Sequence, residues 1–268
     1  MQSDCFTLMI KDHVAWLTLN RPDRRNVMDD KFFQGLLDIF PRLDQDPEVR
    51  VVVVKAEGKS FTAGLDLTWA GALLSGGVGA DAREGLRQSV MKLQESVNVI
   101  ERCAKPVIAA IHGHCIGGGI DMVCCCDVRL ASEDAVFSVR ETRLAIIADL
   151  GTLQRLPTIV GNAHARELAL TGRDFTAGEA LAMDFVTHLA CDRESLYQKA
   201  GELARQMAEL PPLTVQGVKD VMNYGRDYGV KAGLAYVAQK NAAQLPSEDL
   251  MEAVSAFMEK RKPQFKGK

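Results

Sequence analysis

The chain lacks a surplus of positive charge, a long apolar run and a paired set of cysteines, and each absence removes a class of protein. Its 268 residues carry 32 Lys and Arg against 35 Asp and Glu, a net charge of −3, where a general nucleic-acid binder would be basic. No apolar stretch approaches the ~20 residues that a bilayer span requires. The first residues, Met1 to His13, hold Asp4 where a signal peptide has a basic residue, and no long apolar core follows. The last four, Phe265 to Lys268, are not the Ser-Lys-Leu peroxisomal address. The expectation is a cytoplasmic protein that engages neither nucleic acid nor membrane. The seven cysteines are odd in number and three of them, Cys124, Cys125 and Cys126, are adjacent. That pattern suits neither a disulfide framework nor a structural zinc site, so buried thiols in a reducing compartment are expected, and no metal.

What is present suffices for a large buried core: 47% hydrophobic and 25% charged residues over this length. Val14 to Leu19 alternates and reads as a strand, broken at Asn20 to Asp23. Asp29 and Asp30 open a helix with Phe33, Leu36, Leu37 and Phe40 on one side, and Pro41 predicts a kink or an early stop. The four valines Val51 to Val54 read as a strand covered on both faces. Ser60 to Leu67 is a small-residue turn opening a helix, with Asp66 placed to cap it. Residues 71–84 are glycine-rich and predict a mobile loop, and Glu84 to Arg102 a long amphipathic helix. Further on, Asn162 is expected to cap a helix ending at Thr171 and Gly172, Thr176 and Glu179 form a capping box, and Val186 to Leu189 is a candidate last strand. The boundaries implied are a mixed α/β core over 1–195 and a helical part over 196–268.

The chemistry concentrates between Lys105 and Pro157. A strand, Val107 to Ile111, breaks at His112-Gly113-His114 and reaches Gly117, Gly118 and Gly119, after which a short helix carries Asp121 in its first turn. Free N–H groups at a helix start attract negative charge, and glycine lets a ligand approach the backbone. Glu141 and Asp149 follow in apolar or small-residue surroundings. Taken singly, Asp121 is a partner of the helix dipole, Glu141 a surface charge beside Arg140 or Arg143, and Asp149 a turn residue. Taken together they are carboxyl groups beside an anion-binding turn, the combination needed to move a proton next to a carbonyl. His112 and His114 have no third ligand nearby and read as packed or capping residues. Arg24, Arg25, Lys260, Arg261 and Lys262 are candidates to meet phosphates.

The turn Ala63 to Leu67 (AGLDL), the run Lys105 to Asp121 (KPVIAAIHGHCIGGGID), Gly151 to Pro157 (GTLQRLP) and Phe257 to Lys266 (FMEKRKPQFK) resemble the crotonase superfamily, the enoyl-CoA hydratase/isomerase family, in order and spacing across nearly the whole chain. The resemblance implies an α/β fold, a spiral of ββα units with a C-terminal helical segment that builds trimers, often stacked as hexamers. It implies acyl-CoA thioesters as substrates and no cofactor. It implies Leu65 and Gly118 as the two N–H donors to the thioester oxygen, with Ala63, Gly64, Asp66, Leu67, Gly117 and Gly119 shaping the substrate site. Typical hydratases carry glutamates at the positions of Asp121 and Glu141 and a glycine-rich turn around Asp149 to Gly151, and this chain departs from them. GGGID, VRETRL and ADLGTLQRLP are instead similar to the dienoyl-CoA isomerases, which convert a 3,5-diene to a 2,4-diene. That likeness implies Glu141 and Asp149 as the proton-transferring pair and Asp121 as the third acid. The expected assignment gives Asp149 the C2 proton and has Glu141 supply the one at C6. Competing readings are an enoyl-CoA hydratase working through Asp121 and Glu141, and a non-catalytic scaffold that kept the fold.

Overall fold

The computed structural model describes residues 4–74, 77 and 79–268. The chain opens with a hairpin, β1 (Phe6–Lys11) antiparallel to β2 (Val14–Leu19). Asp12 and His13 turn it, both at positive φ, as a two-residue hairpin loop demands. Then come α1 (Asp30–Gln45), β3 (Val51–Ala56), α2 (Leu67–Leu74), α3 (Ala80–Arg102), β4 (Val107–Ile111), β5 (His114–Ile116), α4 (Gly118–Cys124), β6 (Val128–Ser132) and β7 (Val136–Ser138). After a 3-10 turn (Glu141–Leu144) follow α5 (Thr152–Thr171), β8 (Asp174–Thr176), α6 (Ala177–Ala182), β9 (His188–Ala190), α7 (Arg193–Ala208), α8 (Pro212–Tyr228), α9 (Val230–Gln244) and α10 (Glu248–Glu259).

Two sheets organise these elements. The larger has six strands in the order β1-β2-β3-β4-β6-β9, parallel throughout except for the hairpin. The smaller has β5, β7 and β8. The valine run is covered on both faces as its composition predicts. Val52 and Val54 join Leu17, Ala109 and Ile111 in the main core, packed with Phe33, Leu36 and Phe40 of α1 and Val97 and Ile100 of α3. Val51 and Val53 face the other way, with Ile108, Ala110 and Leu130, against Leu196, Ala200, Ala204 and Ala208 of α7. The helix that straddles residue 195 therefore covers one face of the sheet. Gly201 brings α7 close, since a Cβ there would fall 3.2 Å from the Trp16 ring.

Several expectations are corrected by these elements. Helix α1 continues through Pro41 to Gln45, so the early stop, one of the two outcomes expected there, does not occur. Pro41 is exposed and forfeits a single N–H, while Phe32, Phe33, Leu36, Ile39, Phe40 and Leu43 bury the opposite face, and that packing outweighs the ~3 kcal/mol cost of an internal proline. Of the stretch 71–84 expected as a loop, residues 71–74 belong to α2 and residues 80–84 to α3, and residues 75, 76 and 78 lie outside the described set. Helix α5 begins at Thr152, ten residues before Asn162, and the break falls at Gly161 (φ 77°, ψ 159°). The capping box at Thr176 and Glu179 is present.

Lys219 of α8 ties the C-terminal helices to the body, donating to Asp127 Oδ2 (2.8 Å) and to the Lys105 carbonyl (3.2 Å). Met222, Val230, Leu234, Phe257 and Met258 are left at 65% exposure or more. Among the described residues no helix is long and apolar enough to cross a membrane.

Candidate active site

Two strand-to-helix turns meet at one point. The first follows β3 and opens α2, and the second follows β5 and opens α4. Thr62 joins them, its N–H donating to the His114 carbonyl (2.9 Å) and its carbonyl accepting from Ile116 N (3.2 Å). Gly64 is where they touch: at φ 84°, a Cβ on it would fall 2.5 Å from the Ile116 carbonyl oxygen and 3.6 Å from the Gly118 nitrogen. Glycine alone permits that approach.

The local hydrogen bonds decide which N–H groups are free. Met28 N donates to the Gly64 carbonyl and Asp66 N donates to the Met28 carbonyl, both at 2.9 Å. This is a parallel bridge that pairs Met28 with Leu65. The Leu65 N–H between those two contacts is turned away from Met28 and has no hydrogen-bond partner among the described residues. In the second turn, Gly117 N donates to the Ser138 carbonyl (2.9 Å), while Ile120 N and Asp121 N return to the Gly117 carbonyl (2.7 and 3.4 Å). Gly118 and Gly119 keep their N–H groups free among the described residues, at the positive end of α4.

The other residues expected around the substrate divide by task. Ala63 N donates to the Arg25 carbonyl (2.9 Å) and Gly64 N to Thr62 Oγ1 (3.1 Å), so both are spent on holding the loop. Asp66 caps α2 through Thr68 N (2.9 Å) and Trp69 N (3.2 Å), and its other oxygen accepts from Arg24. Leu67 presents an exposed apolar side chain beside them.

Three carboxyl groups lie near this point, close enough that charge on Asp149 is felt at both Asp121 and Glu141. Asp121 is 1% exposed and accepts the Thr152 N–H at 2.7 Å. Burial lifts its carboxyl to about 6, with the Thr152 hydrogen bond opposing and the Asp149 charge adding to the rise. Glu141 opens the 3-10 turn after β7 and its carboxyl stands against Gly117, where a Cβ would lie 3.3 Å from Oε1. Its Oε2 is buried with no hydrogen-bond partner among the described residues. Burial first and the Asp121 charge second raise Glu141 to about 7. Asp149 sits in the irregular segment before α5, with Gln94 Nε2 donating to its backbone carbonyl (2.7 Å). Its residue surface is open, yet the protein around the carboxyl raises its pKa as well. Carboxyls raised toward neutrality and set side by side supply a base and an acid at the same pH.

The surface-charge reading of Glu141 does not hold, since Arg140 pairs with Asp174 and Arg143 donates to the Thr171 carbonyl (3.3 Å). His112 is engaged by the Gly58 carbonyl (3.0 Å) and Tyr197 Oη (3.2 Å), and His114 by Ser60 Oγ (3.3 Å). Arg24 is taken up by Asp66 and Asp29, Arg261 by Glu252 and Glu259, and Lys262 by Glu209. Among the described residues, no group of three or more His, Cys, Asp or Glu is placed to hold a metal ion.

Two residues that position the site were not legible in the sequence. Met28, fully buried, holds both flanks of Leu65 with its backbone and lays its sulfur over Gly118, where a Cβ would come within 3.1 Å. Thr152 supplies the N–H that fixes Asp121. Both act through the backbone, which residue type does not advertise. A helix-start threonine after a glycine was the only local signal for the second.

Free N–H groups at Leu65, Gly118 and Gly119 near three protonatable carboxyls are the groups needed to polarise a carbonyl and to move protons along the carbon chain attached to it. The comparisons with known proteins point the same way. A family model described as Enoyl-CoA hydratase/isomerase matches residues 9–268. The chain is 44% identical over 256 residues to a mitochondrial Delta(3,5)-Delta(2,4)-dienoyl-CoA isomerase of Dictyostelium discoideum, covering 94% of this chain and 87% of that one. It is 45% identical over 256 residues to the peroxisomal enzyme of that name from Arabidopsis thaliana, covering 94% and 92%. Among solved structures it is similar to an enoyl-CoA hydratase from Bacillus anthracis, with TM-score 0.90 and 31% identity over 99% of this chain and 100% of that one.

Proposed function

Because the chain belongs to the enoyl-CoA hydratase/isomerase family, we propose that it is an enzyme that isomerises 3,5-dienoyl-CoA to 2,4-dienoyl-CoA, a step in the β-oxidation of unsaturated fatty acids. The observation that carries this reading is the third acid. Asp121 and Glu141 would be enough to add water to a 2-enoyl thioester, but Asp149 extends the row of carboxyls along the acyl chain, and its charge reaches both of the others. Migration of a diene needs that reach, because one proton leaves C2 and another arrives at C6.

In this mechanism the thioester oxygen lies between the N–H groups of Leu65 and Gly118. Removing one such donor typically costs ~3–4 kcal/mol of transition-state stabilisation. C2, one bond from the thioester carbon, then lies beside Gly117 and the Glu141 carboxyl that abuts it. This contact supports the opposite of the assignment expected from sequence, with Glu141 taking the C2 proton and Asp149 supplying the one at C6. The charge that develops on the thioester oxygen as C2 is deprotonated falls on the two N–H donors. Asp121, buried and held by Thr152, keeps Glu141 close to neutrality so that it can both accept and release a proton.

The test offers purified protein a 3,5-dienoyl-CoA and a 2-enoyl-CoA and follows ultraviolet absorbance. Appearance of the conjugated diene supports the isomerase. Loss of the enoyl chromophore without diene turnover would instead support a hydratase, the reading favoured by the likeness to the Bacillus anthracis structure. Binding of either thioester with no turnover would support a scaffold. The substrate and its CoA portion are the partners implied, without a separate cofactor. The exposed apolar side chains of α8, α9 and α10 favour assembly of copies into a trimer or hexamer, to be read by light scattering. A cytoplasmic location is part of this proposal, to be read by cell fractionation, although the relatives named above are mitochondrial and peroxisomal.

A further inference from the structure

Asp149 borders an open cleft on the side of α3, α5 and α8. The cleft holds about 400 Å³ and is bounded by Gln94, Asn98, Asp149, Gln154, Arg155 and Arg226. Its lining is polar and already organised: Arg155 donates to Glu101 and Asn98, and Arg226 to Glu101 (2.6 Å). Hydrocarbon placed against these groups would leave them without water, which is costly, whereas water fits them. Neither Asp121 nor Glu141 lines this cleft. The first is sealed and the second has its Oε2 buried.

Resting on the isomerase reading above, we infer that this cleft is the proton port of the site, through which Asp149 exchanges its hydron with bulk water between turnovers. Each forward turnover breaks the C2–H bond, with the hydron going to Glu141, and forms a C6–H bond with the hydron that Asp149 carried. The enzyme is left with Glu141 protonated and Asp149 ionised. Two routes restore it. Glu141 can hand its hydron to Asp149 by way of Asp121, or Asp149 can reload from water while Glu141 discharges once product has left. An open, hydrated cleft at Asp149 makes the second route the faster, so the hydron delivered to C6 comes from solvent.

The experiment uses the full-length enzyme and 3,5-dienoyl-CoA deuterated at C2, in ordinary water, with the label at C6 of the product read by NMR. Wild type is expected to deliver no C2 deuterium to C6. Gln154→Trp narrows the cleft from an exposed position whose side chain makes no hydrogen bond among the described residues. It is expected to lower kcat several-fold with kcat/KM unchanged, because reloading follows product release, and to carry part of the C2 label to C6. Wild type that already carries label to C6 overturns the port, and so does a Gln154→Trp enzyme that matches wild type in both kcat and label. The wild-type arm stands whether or not the variant folds. Wild type with no diene turnover overturns the isomerase reading itself, so the two failures are distinguishable.

Discussion

The carboxyl of Glu141 rests against the bare α-carbon of Gly117, which sits at φ 54° and ψ −120°. That backbone conformation is open to glycine almost alone, and a Cβ would lie 3.3 Å from Glu141 Oε1. Gly117→Ala is therefore expected to cost about 1–3 kcal/mol of stability through strain. The loss of turnover should be larger, on the order of 10²-fold, from displacing the carboxylate and the neighbouring N–H donor. Denaturant melts beside kcat measure the two separately. Equal losses by both measures would count against a catalytic role for this contact.

Glu141 is raised to about 7 in the folded protein from its ordinary 4.5. The folded state thus holds this proton more tightly than the unfolded chain does. The group's favourable contribution is complete below about 4.5 and is lost as pH climbs through about 7, by up to about 3 kcal/mol. Glu141→Gln should then be more stable than wild type at pH 8, with the gain vanishing toward pH 4, as chemical denaturation at several pH values would show. Since the mechanism needs Glu141 ionised and Asp149 protonated together, wild-type kcat/KM should pass through a maximum with pH, with one flank near 7.

Asp149 is open to solvent and its carboxyl makes no hydrogen bond to another residue among those described, so Asp149→Asn should fold like wild type. It should lose on the order of 10²–10⁴-fold of isomerisation, the usual worth of a general acid or base. Near-normal diene turnover in this variant would remove Asp149 from the mechanism.

Asp66 reaches the chemistry through its neighbour. Its side chain caps α2 and accepts from Arg24, and its N–H holds one flank of Leu65. Asp66→Ala should cost about 0.5–2 kcal/mol of stability as a lost cap. A fall in kcat at nearly constant KM would mark misdirection of the Leu65 N–H, whereas a purely structural role would leave kcat unmoved once the protein is folded.

The elements that patterning reveals best are those whose residues act alone. β2 and β4 have the bounds that their apolar runs predict, and the capping box at Thr176 and Glu179 is a two-residue signal that formed as written. Pro41 misleads because a single missing N–H is weighed against six buried side chains elsewhere on α1. Residues 71–74 mislead because Gly71 and Ala72 read as loop, although the helix that Asp66 was expected to cap, and does cap, runs on through Leu74. At the site, glycines and carboxylates can be seen in the sequence, but the order in which they meet a substrate cannot. The contact between Gly117 and Glu141 crosses from the start of α4 to the end of β7, and the proposed exchange of the two proton roles rests on it. Met28 stays hidden for a related reason, since an ordinary core methionine and one whose backbone orients a catalytic donor look alike in a string of letters.

The free Leu65 N–H lies in the turn after β3, a strand of the larger sheet, whereas Gly118 follows β5 and Glu141 follows β7, paired strands of the smaller sheet, and Asp149 lies in the irregular segment before α5. One free N–H thus follows a different sheet from Glu141, while the other shares its sheet with Glu141. Under the proposed mechanism a change of acid at 149 leaves both free N–H groups alone, whereas one at 141 also alters what packs on Gly117, so an engineer seeking new reactions on the same class of substrate would begin at 149 and keep the glycine turns.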